Sequence, residues 1–115
     1  MVYCASSLAL AALELLVHLP PAMRRTGALP PFVAVGLEIA DALVADLGHP
    51  ANLTQTETRA LGDAWIQSAT SLGLSVQSRV VPLERNVLLN PRHPDMAKVT
   101  VALTEPFVFD DRLSY

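Results

Sequence analysis

Three residues of the chain carry groups able to do chemistry in settings that make them conspicuous. Glu14 lies in the run Leu8–Leu19, among Leu10, Ala11, Leu13, Leu15, Leu16 and Val17, which leave that segment almost no polar face. A carboxylate there is costly to bury unless it is paired or binds something. His18 follows at i+4, on the same face of a helix. A Glu–His pair at the rim of the core is one reading, and a cleft carboxylate facing a cationic substrate or transition state is the other. Ser78 is a hydroxyl within the apolar stretch "LSVQSRVVP". A satisfied core serine is the common case, and the "GxSxG" pattern of a nucleophile elbow is absent. Tyr3 is a lone aromatic in an N-terminal strand, suited to packing or to stacking on a planar ring.

Other chemistries are poorly supplied. His49 and His93 have no metal-ligand spacing with each other or with the single Cys4, so no metal is expected. The five glycines are scattered and form no phosphate loop. The stretch "VVPLERNVLLNPRHPD", Val80 to Asp95, collects hydrogen-bonding groups after an apolar run. Either a polar turn or the wall of a cleft would use them.

The elements that must hold these residues follow from pattern. Val2 to Ala5 reads as a strand, and Ser6 or Ser7 caps a helix that runs to about Leu19, where Pro20-Pro21 stops it. Arg24 to Pro31 is a turn-rich connector containing Gly27. "FVAVGLEI", Phe32 to Ile39, predicts a strand buried on both faces. Asp41 to Leu47 predicts a helical turn, followed by the loop Gly48-His49-Pro50. Thr54 and Glu57 form a capping-box pattern for a helix carrying Leu61, Trp65 and Ile66. Leu74 to Pro82 predicts a strand with Ser78 in its middle. Val99, Val101 and Leu103 alternate with polar residues in a half-buried strand pattern, "PFVFD" predicts a last strand, and "DRLSY" a tail. The order β-α-β-α-β-β-β makes one α/β or α+β domain with a mixed sheet flanked by helices.

Composition narrows the classes. With 115 residues, 51% hydrophobic and 17% charged, the chain is globular and long enough for one core. A net charge of −3 without a basic tract argues against a nucleic-acid partner. One cysteine fits a reducing, cytoplasmic compartment. The apolar N-terminal run is too short for a membrane span and lacks the basic start of an export signal. The mean hydropathy of +0.37 is high for so short a chain, and implies a covered surface.

"VYCASSLALAALELLVHL", "GDAW", "LSVQSRVVPLERNVLLNPRHPD" and "FVFDDRL" together resemble the RES domain, a family of toxins of bacterial toxin–antitoxin pairs, usually found beside an Xre-type antitoxin. The resemblance spans nearly all of residues 1–115. It implies a fold similar to ADP-ribosyltransferase domains and consumption of NAD as substrate, by hydrolysis, phosphorolysis or ADP-ribosyl transfer. It places the family's glutamate on Glu14, its serine on Ser78 and its first-strand tyrosine on Tyr3, and aligns the "NxLLNPxHPD" stretch with Asn86 to Asp95. Glu14 is then expected to stabilise the cation that develops as the nicotinamide–ribose bond breaks, with Tyr3 stacking on nicotinamide and Ser78 bonding the ribose or the amide. Asn86 is expected to contact NAD.

Two departures accompany the resemblance. The family's arginine precedes the tyrosine in a "GRW"-like segment, and Arg24 and Arg25 do not match it. The chain therefore reads as an N-terminally shortened domain that is weak or inactive until that segment is restored. Gln77 stands where the family usually has proline. The alternative reading is an inactive remnant that binds an antitoxin or itself. The expected partners are an Xre-type antitoxin or a second copy, with no membrane.

Overall fold

The computed structural model describes residues 1–25, 29–48 and 53–113. His49, Pro50, Gly27 and the end of the "DRLSY" tail, named above, lie outside the described residues. Strand β1 (Val2–Ala5) leads into α1 (Leu8–His18), whose first turn is capped by the Ser7 hydroxyl, which accepts from the Leu10 amide at 3.1 Å. Pro20 does end α1, but Pro21 then opens a short helix α2 (Pro21–Arg25) where a connector was expected. The ring's fixed φ and missing N–H are tolerated in a first helical turn, so one proline follows the end of a helix and the next opens another.

Strand β2 (Phe32–Glu38) is followed by a single 3-10 turn at Asp41–Leu43 and a short strand β3 (Val44–Asp46). The turn was expected, but the strand after it was not. Helix α3 (Gln55–Ser68) begins at Thr54, whose hydroxyl accepts from the Glu57 amide at 3.1 Å, as the capping pattern predicts. The remaining strands are β4 (Gly73–Gln77), β5 (Arg85–Leu89) and β6 (Thr100–Phe107).

These strands make two sheets. The larger has the order β1-β5-β4-β3, with β3 parallel to β4 and the other pairs antiparallel, so it is mixed as expected. The parallel pair is bridged by α3, the crossover that such a pair requires. Trp65 of α3 packs on Leu74 and Leu88, and Leu47, Ile66 and Val76 close around them. Burying each such large apolar side chain contributes about 1.5–3 kcal/mol. The Trp65 indole N–H is satisfied by the Ser71 hydroxyl at 2.9 Å.

The smaller sheet pairs β2 with β6 alone, in an antiparallel ladder interrupted between Gly36 and Leu37. Gly36 permits the close approach of Leu103, whose Cβ lies 3.1 Å from where a Gly36 side chain would begin. The expectation of two buried faces for β2 is overturned. Its burial alternates, and Val33 and Val35 are exposed. The half-buried pattern expected around Val101 and Leu103 also fails, since both are exposed. A two-stranded ribbon has too few neighbours to cover either residue. "PFVFD" is no separate strand, because Pro106 and Phe107 finish β6. Phe109 beyond it is buried, edge-on to Phe32 and Phe107 at centroid distances of 5.8 and 5.1 Å. No helix among the described residues is long and apolar enough to cross a membrane.

Candidate active site

The register of the larger sheet decides which side chains share a face. Tyr3 lies opposite Leu88 and Ala5 opposite Asn86, while Leu74 and Val76 lie opposite Leu88 and Asn86 across the other side of β5. Directly opposed residues point the same way. Tyr3 and Asn86 therefore project from one face, the face that carries Leu74 and Leu88 against Trp65. Along the strands, the level of Tyr3 is two residues from that of Asn86, or about 7 Å.

Ser78 does not sit in mid-strand as expected. Strand β4 ends at Gln77, and Ser78 is the first residue of the turn to β5, where its amide donates to the Glu84 carbonyl at 2.9 Å. Pro82, which has no amide to continue a ladder, lies within this turn and not at the end of a strand. Within the turn the Glu84 amide closes on the Val81 carbonyl at 2.8 Å, and the Gln77 side chain donates to the Pro82 carbonyl at 2.9 Å. Gln77, the departure from the family's proline, is thus a brace for this turn.

Three residues meet across the gap between this turn and α1. The Ser78 hydroxyl donates to Glu14 Oε1 at 2.8 Å, and Asn86 Nδ2 donates to the same oxygen at 2.8 Å. The Ser78 oxygen in turn accepts from the Val80 amide at 3.1 Å and the Val81 amide at 3.0 Å. Ser78 is only 1% exposed, while Glu14 and Asn86 are half-buried. The Glu–His pair is not formed: His18 Nδ1 donates to the backbone carbonyl of Glu14 at 2.7 Å, and the carboxylate is left to Ser78 and Asn86. The i+4 spacing brings the residues together, but the contact that His18 makes is to the backbone of Glu14 and not to its carboxylate.

Tyr3 is 76% exposed on an edge strand, so packing does not hold its ring. The long polar stretch divides into two uses. Asn86 faces Glu14. Asn90 instead builds a turn: its amide donates to Leu72 at 2.8 Å, its side-chain oxygen accepts from the Arg92 amide at 3.1 Å, and its carbonyl accepts from His93 at 3.0 Å. His93 Nδ1 then accepts from the Asp95 amide at 3.0 Å, capping the 3-10 turn Pro94–Lys98.

Sequence reasoning missed the Val80 and Val81 amides, for which no side-chain signal exists. It also missed Arg85, next to Asn86 but on the other face. Arg85 donates from Nε to the Ser75 hydroxyl at 3.0 Å and from Nη1 to the Gly48 carbonyl at 2.9 Å, and it pairs with Asp46. This fork ties β5 to β4 and to the end of β3. Among the described residues no three His, Cys, Asp or Glu come together to hold a metal.

A family model described as RES domain matches residues 1–110. A Toxin Res of Yersinia enterocolitica is 37% identical over 121 residues, covering 97% of this chain and 76% of the relative. A Prs ADP-ribosylating toxin of a Sphingobium species is 34% identical over 123 residues, covering 97% and 73%. A Toxin Res of Photorhabdus laumondii is 34% identical over 122 residues, covering 97% and 74%. The chain belongs to the RES domain family.

Proposed function

We propose that this RES domain is a toxin that consumes NAD, with Glu14 as the carboxylate at the reacting centre. The observation that carries the reading is the geometry of Glu14: a half-buried carboxylate on a largely apolar helix, held by Ser78 and Asn86, with no cation paired to it among the described residues. A fixed negative charge of this kind favours a transition state in which positive charge develops. The printed name of one relative, an ADP-ribosylating toxin, supports the same substrate class.

In the reaction, the bond between the ribose C1′ and the nicotinamide nitrogen breaks, and its electron pair leaves with nicotinamide. Glu14 stabilises the oxocarbenium-like ribose so formed. An acceptor oxygen, from water, phosphate or a protein side chain, bonds to C1′ and gives up its proton to solvent. The exposed ring of Tyr3, on the same sheet face as Asn86, is free to stack on the nicotinamide. The partner in this reading is an antitoxin of the Xre type, acting in the cytoplasm.

Incubating the purified chain, and a version extended upstream by the family's arginine segment, with NAD in the presence and absence of phosphate tests the proposal. The extended version is expected to release nicotinamide, with the second product identifying the acceptor. Intact NAD with both versions would overturn it.

A further inference from the structure

We infer that Ser78 and Asn86 are positioning residues that bind one oxygen of Glu14 and leave the other to the substrate; the inference rests on the NAD-consuming reading for its chemistry but not for its geometry. Both side-chain bonds to the carboxylate fall on Oε1, each at 2.8 Å. Among the described residues no side chain bonds Oε2.

The hydrogen bonding of Ser78 fixes its part. Its single proton is given to Glu14, and its oxygen receives the amides of Val80 and Val81. A hydroxyl has one donor and two acceptor positions, so all three are in use. With 1% of the residue exposed, no substrate reaches it. Ser78 therefore acts neither as a nucleophile nor as a direct contact to the ribose. Two incoming N–H groups polarise the hydroxyl toward the carboxylate, as bonds in a chain strengthen one another.

Asn86 shows the same division from the other side. Its Oδ1 is buried and has no hydrogen-bond partner. An unmet buried acceptor is unfavourable. It persists here because the amide is turned to aim Nδ2 at Glu14, so the carboxylate alone sets its orientation.

The result is a carboxylate with its torsion locked by donors from the β4–β5 turn and from β5, both distant in sequence from α1. Such preorganisation is what makes an electrostatic contact effective at the moment of reaction.

Two measurements test the inference, and the first needs no activity. Thermal melts of the chain, Glu14→Ala, Ser78→Ala and the double variant form a cycle. Because Ser78 and Glu14 share one bond, the double variant is expected to melt close to the less stable single variant. Strictly additive losses of melting temperature would overturn the contact. The second uses the extended version and NAD kinetics. Ser78→Ala and Asn86→Ala are expected to lower kcat by about tenfold or more while KM stays within about twofold, since each acts through Glu14. A raised KM with unchanged kcat would show direct substrate contact and overturn the positioning role. If the extended wild type leaves NAD intact, the function fails while the melts still decide the geometry.

Discussion

The Ser78 hydroxyl donates to the Glu14 carboxylate at 2.8 Å, joining positions 64 residues apart. Neither group reaches the other unless α1 is docked beside the β4–β5 turn. The candidate site is therefore a product of tertiary packing, and variants that loosen the sheet should disturb it before they unfold the chain.

Trp65 is the largest member of the cluster that fastens α3 to β4 and β5. Trp65→Ala removes that volume and the indole bond to Ser71, and is expected to destabilise by about 3–5 kcal/mol. Urea unfolding measures it. A loss below about 1 kcal/mol would mean that α3 contributes little to the fold.

Arg85→Lys keeps the charge beside Asp46 but loses the fork that reaches both Ser75 and the Gly48 carbonyl. Lysine is a point donor and cannot bridge them. The expected loss is about 1–3 kcal/mol, from the bonds removed and the groups left unpaired. Urea melts of Arg85→Lys and wild type that coincide would show that the fork does not fasten β3 to the sheet.

Much of the local structure was legible. Ser7 and Thr54 are caps whose side chains satisfy first-turn amides, and both were readable from residue type and position. Strand β5 was hidden because Pro82 and the polar residues Glu84, Arg85 and Asn86 look like a turn, and pairing on both edges is what makes Arg85–Leu89 a strand. The exposure of Val33 and Val35 was equally hidden, since periodicity reports a strand but not whether a second layer covers it. At the site, Glu14 stood out by its own apolar surroundings. Its partners were harder to read. Spacing pointed to His18; Ser78 stood out as a hydroxyl in an apolar stretch but nothing in spacing tied it to Glu14, and Asn86 was named only through the family resemblance. The amides of Val80 and Val81 leave no trace in side-chain pattern at all.

Burial pushes the Cys4 thiol above its ordinary range. The folded chain holds that proton more tightly than the unfolded chain, so the associated stabilisation is whole below the unfolded value and is lost as pH rises through the raised folded one. Alkylation by iodoacetamide near pH about 9 is expected to be slower in the folded chain than in urea. Equal rates would place Cys4 in solvent.

The most direct test of the account is Glu14→Gln in the version carrying the upstream segment, assayed for nicotinamide release from NAD alongside a thermal melt. The amide keeps the shape of the side chain and removes its charge. Losing one electrostatic contact to a transition state lowers turnover by about 10²–10³-fold. The account predicts a fall of that size with a melting temperature within a few degrees of wild type, because the amide oxygen still accepts from Ser78 and Asn86. Wild-type turnover in Glu14→Gln would contradict it and remove Glu14 from the reacting centre.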